Sequence, residues 1–412
     1  MSPTRRTFLQ TAALGAVGTA FAGESILASV PSVRDAALLH PQEFGDRFDP
    51  WIEVEADALA HNVAEVRRLS TNRPILAVIK NNAYGLDLTT AAAVLEPMPE
   101  VVGFAVVKAE AAIALKEAGV RKPVYLMALF SESVAPELAR LGVVPCIYSD
   151  DALRLIEPMV RTAGGPVDAQ VYLDTGMSRM GIPYHKALPW IESVVGSGKV
   201  RVEGVFTGLT EDPEFDREQL RRFMSVTGQA ADAGFSLGAR HVASSSAVFE
   251  FPESHLDMVR PGMALYGGYP NDPALQRERA TLRSAVRVKV RVVRVERLRS
   301  GDSVSYGRNF VAAEPTWVAT LPVGHTDGYP REAVEGGRVL IGSRTYSVVG
   351  AVSASHTIVE VGSDPTVAVG DVATLLGPDV PEIDPNRLSV ATGVSIYDIF
   401  MHLNPTLPRV VV

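Results

Sequence analysis

Ile75-Leu76-Ala77-Val78-Ile79-Lys80-Asn81-Asn82-Ala83-Tyr84-Gly85 runs five apolar residues straight into a lysine, then into a short polar turn closed by an aromatic residue and a glycine. An apolar run of that length, bounded by such a turn, reads as a strand buried on both faces, the kind found in parallel sheets. From about residue 72 the pattern recurs, each apolar run being followed by a helical one with Gly or Pro between them. Candidate strands fall at 74–80, 102–107, 123–129, 144–149, 169–174, 202–208, 240–245 and 258–262. Among the intervening stretches, 109–119, 150–164 and 216–234 space their apolar residues three or four apart and end at glycine, as helices do. Eight such βα units predict an α/β protein with an N-terminal TIM-type (β/α)8 barrel; a doubly wound sheet is the competing arrangement.

After Gly268 the period changes. Val286, Val288, Val290 and Val292 alternate with Arg287, Lys289 and Arg291, a spacing of two that a half-buried strand satisfies. A C-terminal mainly-β domain over 271–412 is therefore expected, with further strands at 317–322, 338–341, 346–352 and 367–376. The barrel is assigned 50–270, although Trp51-Ile52-Glu53-Val54 reads as a strand able to join the β-domain. Seven basic residues between Arg283 and Arg299 read as a solvated strand face rather than a phosphate-binding stripe.

The 412 residues carry 39 Lys and Arg against 47 Asp and Glu, a formal charge of −8 that offers nucleic acid no electrostatic footprint. The one cysteine, Cys146, can form no intramolecular disulfide and no Cys-rich metal site, and its apolar surroundings place it in a buried strand. At the N-terminus, Arg5-Arg6 precede an apolar run from Phe8 that closes with Ala20-Phe21-Ala22. The segment resembles a twin-arginine export signal, spanning 1–22 and followed by a linker over 23–49. At roughly 15 residues its apolar core is too short for a membrane-spanning helix, so the reading is a cleaved signal, no stable membrane anchor and an exported, periplasmic protein.

Five segments carry a further resemblance. Lys80-Asn81-Asn82-Ala83-Tyr84-Gly85, Asp174-Thr175-Gly176-Met177-Ser178-Arg179-Met180-Gly181, Asp257 through Gly267, Val304-Ser305-Tyr306-Gly307 and Gly324 through Arg331 resemble, in order, motifs of the alanine racemase family. The resemblance spans nearly the whole chain beyond the signal. It implies a pyridoxal 5'-phosphate enzyme that interconverts L- and D-amino acids, with alanine or a broader range of small-molecule substrates, by two bases. It gives Lys80 as the cofactor lysine and the base on one face, and Tyr306, contributed by the other subunit of a homodimer, as the base on the opposite face. Two opposed bases suit the chemistry, because inverting a stereocentre requires a proton taken from one face and returned to the other.

By the same resemblance Arg260 donates to the pyridine nitrogen. The phosphate is assigned to the backbone amides of Gly262 and Met263 and to the hydroxyls of Tyr84, Ser245 and Tyr397. Ser245 lies in a run of three serines, 244–246, so its neighbours compete for that place. Arg179 and Ala354 are placed at the substrate carboxylate. Three departures stand out: Tyr172 where the family has a lysine that braces the arginine, Gly208 where a histidine packs on the cofactor ring, and Ala354-Ser355 where a Met-Asp pair meets the substrate. The last suggests a roomier pocket there, and the three together suggest a substrate choice shifted toward side chains larger than methyl. Two other readings keep the cofactor: a decarboxylase or aldolase of the same barrel class, and a non-catalytic binding protein. The first lacks a cysteine outside the barrel. Against the second stands the β-domain with Tyr306, which single-barrel cofactor binders lack.

Overall fold

The computed structural model describes residues 47–363 and 366–412; the segment read as an export signal and nearly all of the stretch read as a linker lie outside the described residues. Seven parallel strands pair in sequence order: Ile75–Val78, Val101–Val106, Val124–Leu126, Val144–Ile147, Val167–Asp174, Val200–Phe206 and Ala239–His241. The eighth stave, read from sequence as a strand over 258–262, is extended chain joined by single bonds. Val259 bridges Ile75, and the amides of Leu76 and Val78 donate to the carbonyls of Val259 and Pro261, each at 2.9 Å. On its other side Asp257 and Arg260 donate to the carbonyls of Arg240 and Ala243, at 3.0 and 2.8 Å. These bonds close the barrel. Pro261 has no N–H, which stops a regular ladder there.

The apolar runs are buried as expected of staves covered on both sides: all four residues of Val144–Ile147 are buried, Cys146 among them. Around the barrel, helices such as Ala152–Ala163 turn Ala152, Ile156 and Met159 inward at helical spacing. Several strands are shorter than their apolar runs, the third covering only Val124–Leu126 of 123–129. The first stops at Val78, and the seventh stops at His241, so that Ser245 opens the helix Ser245–Glu250 instead of ending a strand.

A nine-stranded sheet forms the second domain, in the order Arg294–Leu298, Thr316–Leu321, Thr357–Gly362, Arg344–Val349, Arg338–Ile341, Val372–Leu376, Val286–Arg291, Trp51–Val54, Arg409–Val411. The N-terminal strand is thus built into this sheet, Ile52 facing Val288 on one side and Arg409 on the other. Residues 367–371, expected to be part of a strand, form a turn before Val372. Val286, Val288 and Val290 are buried while Arg287, Lys289 and Arg291 are half-buried. The basic face is not simply solvated. Lys289 lies 2.8 Å from Glu53, and Arg287 pairs with Glu55 and, at 2.8 Å, with Asp379. Carboxylates of this chain neutralise the part of the stripe nearest the N-terminal strand. No described helix is long and apolar enough to cross a membrane.

Candidate active site

Lys80 follows the end of the first barrel strand, and the backbone then turns left-handed for four residues, with φ of 54° at Asn81, 56° at Asn82, 51° at Ala83 and 55° at Tyr84. Asparagine tolerates this region; Ala83 and Tyr84 occupy it at a cost of about 1–2 kcal/mol each. The helix Ile396–Met401 of the second domain lies against this turn: Asn81 Nδ2 reaches Met401 Sδ at 3.4 Å, and Arg409 donates to the Gly85 carbonyl at 2.8 Å. Gly85 sits at φ +92°, where a Cβ would fall 2.1 Å from the Phe400 carbonyl oxygen. The Lys80 side chain is half-buried. Burial first, and the positive charge of Arg179 second, push its amine below the ordinary lysine range.

Beside it lies a cradle of hydroxyls and amides. The Tyr84 ring is 4% exposed, 5.0 Å from the ring of Tyr266 and 6.4 Å from that of Tyr397. A Cβ on Gly262 would meet the Tyr84 hydroxyl at 2.1 Å, so glycine lets the phenol lie directly over the backbone. Ser245 Oγ accepts from the amides of Gly262 at 2.9 Å and Ala264 at 3.2 Å. Ser246, the competing serine, instead accepts from Asn271 at 2.8 Å. Among the described residues no hydrogen bond satisfies the Met263 amide. Burial, followed by the charge of Glu211, pushes Tyr397 up to about 12, and burial pushes Tyr84 up as well, so both remain O–H donors at neutral pH. The Ala264 amide, not named from sequence, serves to hold Ser245 in place.

Arg260 is buried, and none of its hydrogen-bond partners among the described residues is a carboxylate. It donates to the carbonyls of Thr207 at 2.8 Å, Val242 at 3.3 Å and His241, and to His241 Nδ1 at 3.2 Å, while its guanidinium lies 5.0 Å from the Phe206 ring centre. Burial lowers it to about 10, still charged at neutral pH. A buried cation held by neutral acceptors retains full donor strength toward anything reaching its remaining edge.

Arg179 is exposed on the loop after the strand Val167–Asp174, where Asp174 accepts from the Gly176 and Ser178 amides at 2.9 and 3.0 Å. No described residue braces the Arg179 side chain. Tyr172 is buried, stacked on Phe206 at 4.4 Å, and its hydroxyl lies 3.2 Å from the point where a Gly208 Cβ would stand. Two of the departures seen in sequence therefore meet at one point in space.

Tyr306 and Ala354 are not brought to Lys80 within the chain. Tyr306 tips a two-stranded ribbon, Ser303–Val304 with Phe310–Val311, in a turn with Ser305 and Arg308 also left-handed, and is 78% exposed. Ser305 donates to the Ala351 carbonyl at 3.1 Å, and the exposed Ala354 accepts from the Thr326 hydroxyl at 2.7 Å, so both residues stand on one edge of the β-domain.

The site thus sits where a closed parallel barrel, with a lysine after one stave's end, is joined to a mainly-β domain. Residues 54–270 match the family model described as alanine racemase, N-terminal domain, and residues 285–411 that described as alanine racemase, C-terminal domain. The chain belongs to the alanine racemase family. It is 31% identical over 367 residues to an alanine racemase of Desulforamulus reducens, covering 87% of this chain and 98% of the relative. With an alanine racemase of Carboxydothermus hydrogenoformans it shares 32% identity over 367 residues, 88% of this chain and 99% of the relative. The solved alanine racemase of Clostridium difficile 630 superposes with a TM-score of 0.81 at 25% identity, covering 88% of this chain and 95% of that one. A histidine racemase from Leuconostoc mesenteroides shares the fold, with a TM-score of 0.79 at 23% identity over 88% of this chain and 98% of its own.

Proposed function

We propose that this racemase works with pyridoxal 5'-phosphate, inverting amino acids between Lys80 of one subunit and the partner subunit's Tyr306. The observation that carries the reading is the convergence near the Lys80 turn of Tyr84, Tyr397, Ser245 and the Met263 amide. That donor set suits a phosphate: two phenols that stay protonated, a Ser245 hydroxyl that accepts from two amides and keeps its own proton to donate, and the Met263 amide with a donor to spare. The Gly262 amide is already taken by Ser245. Arg260 would meet the ring nitrogen. When bound, the cofactor supplies an electron sink for the pair left at the substrate Cα.

The chain's own residues do the rest. The lowered basicity of Lys80 leaves more of its Nζ neutral at working pH, able to take a proton on one face and return it. Arg179, with its forked donors unbraced, is suited to a carboxylate. The exposed ribbon carrying Tyr306 supports a role completed by a second copy of the chain, in a homodimer with shared sites. Tyr172, Gly208 and the Ala354-Ser355 pair support acceptance of side chains larger than methyl. The twin-arginine segment supports export to the periplasm, where free amino acids outside the cell interior would be substrates.

The decisive experiment loads the purified mature protein with pyridoxal 5'-phosphate, reads the colour of the lysine-bound cofactor, and follows optical rotation across a panel of amino acids. Colour with racemisation of lysine, arginine or serine faster than alanine is expected. Failure to bind the cofactor would end the reading, and equal or faster turnover of alanine would end its substrate part.

A further inference from the structure

We propose that Gln170 is a positioning residue that sets the tautomer of His241 and through it holds the guanidinium of Arg260. The inference rests on the reading that gives Arg260 the cofactor's ring nitrogen.

Three side chains line up across the barrel interior. Gln170, 2% exposed, points from the strand Val167–Asp174; His241, 1% exposed, ends the strand Ala239–His241; Arg260 lies in the closing stave. Gln170 Oε1 stands 2.8 Å from His241 Nε2, and His241 Nδ1 stands 3.2 Å from an Arg260 Nη. The imidazole plane is fixed by Phe206, stacked at 5.2 Å and 20°.

The protons follow from donor counting. A guanidinium only donates, so His241 Nδ1 must accept and the ring proton must sit on Nε2. The Gln170 atom facing Nε2 must then be its oxygen, because a flipped amide would set two donors against each other. Burial and the neighbouring Arg260 charge keep the imidazole neutral, which preserves the lone pair on Nδ1. His241 Nδ1 is the side-chain acceptor among Arg260's partners, the others being main-chain carbonyls.

Two observations speak for Gln170 as more than filler. Gly204, opposite it on the next strand, leaves space that any Cβ would take, falling 2.5 Å from Gln170 Oε1 and 2.9 Å from Nε2. Gln170 Nε2 is buried with no hydrogen-bond partner among the described residues, an arrangement that an apolar side chain would avoid if core stability alone decided the position.

The test reads His241 directly, in the cofactor-free full chain with ¹⁵N-labelled histidine. Wild type is expected to show Nε2–H with an accepting Nδ1. Gln170→Leu should give a tautomer mixture, and Gln170→Glu should draw a second proton onto the ring, turning Nδ1 into a donor against Arg260. In the loaded enzyme, Gln170→Leu should lower kcat/KM about tenfold and shift the cofactor absorption, with Gln170→Glu lower still. Should Gln170→Leu fail to fold, Gln170→Met reads the same signal. A wild-type tautomer retained in Gln170→Leu or Gln170→Met overturns the proposal. A changed tautomer with unaltered cofactor absorption and kcat/KM would leave the Gln170–His241 coupling standing and overturn Arg260's assignment to the ring nitrogen.

Discussion

Replacing Gly262 with alanine puts one methyl group where the Tyr84 phenol lies, and the outcome can be worked from distances. The new Cβ would fall 2.1 Å from the hydroxyl oxygen, 2.7 Å from Cζ and 3.2 Å from Cε2. At φ −119° and ψ −86° the Gly262 backbone lies outside the α and β regions, so a backbone cost adds to the steric one. Tyr84 has little room to retreat, with Tyr266 5.0 Å away on one side and Tyr397 at 6.4 Å on the other. Overpacking of a close-packed site costs about 1–3 kcal/mol. Displacing the hydroxyl also removes one donor to a phosphate, about 1.5–3 kcal/mol for a bond to a charged group, or a 10- to 150-fold weaker hold on the cofactor. Thermal unfolding of the cofactor-free protein measures the first effect, and titration of pyridoxal 5'-phosphate by absorbance the second. Tyr84→Phe separates them, since it removes the donor without adding bulk: it should weaken cofactor binding and leave unfolding nearly unchanged. Gly262→Ala with wild-type unfolding and wild-type cofactor affinity would show that Tyr84 is not locked over the backbone, and the cradle would have to be redrawn.

Lys80→Ala should lose the colour of the bound cofactor, and Tyr306→Phe should keep it while slowing racemisation by about 10²–10⁴-fold. Co-expressed, the two inactive chains should recover about a quarter of wild-type activity, because half the dimers are mixed and each mixed dimer holds one intact shared site; no recovery would place both bases in one chain. Asp257, held below the usual carboxylate range chiefly by its hydrogen bond from Arg240, contributes stability that is present above its unfolded value and lost as pH falls through the acid range. The two side chains are 38% and 39% exposed, so Asp257→Asn should cost only about 0.5–1 kcal/mol at pH 7 and flatten the decline toward pH 3 in a melting series. Arg5→Lys with Arg6→Lys should strand the protein inside the cell on fractionation, and unchanged periplasmic recovery would refute the export reading.

The fold was legible where burial dictates composition. Val144 through Ile147 is apolar throughout because both faces of a barrel stave are covered, and Val286 through Arg291 alternates because one face of the sheet is not. The eighth stave was legible as an apolar run but not as an irregular one, since Pro261 breaks the ladder only once neighbours are known. Lys80, Ser245 and Arg260 announce themselves by residue type at the ends of such runs. What sequence withheld depends on register. Gln170 faces Gly204 and Gly204 faces Ala239 across three strands far apart in the chain, so the contact between Gln170 and His241 has no local trace. A polar residue amid Val167–Leu173 was the available signal, and a glycine opposite it the second.

The left-handed turn after Lys80 explains why the barrel and the sheet form one machine. Asn81, Asn82 and Gly85 make a turn legible, yet nothing local asks Ala83 or Tyr84 to adopt positive φ, and together they cost about 2–4 kcal/mol. Part of the offset comes from burial, since Ala83 and Tyr84 are almost fully enclosed, and part from the bonds of Ala83 N to Ile79 O at 3.1 Å and Gly85 N to Asn82 O at 3.0 Å. The remainder comes from the second domain: the helix Ile396–Met401 against Asn81, the Phe400 carbonyl filling the space that Gly85 leaves, and Arg409 on the Gly85 carbonyl. Strain of this size persists only where the surroundings over-determine it. Relaxing the turn would move Tyr84 off Gly262 and re-aim Lys80 together, because the same four residues link them. The second domain therefore acts on the barrel mouth of its own chain as well as presenting Tyr306 on its exposed edge.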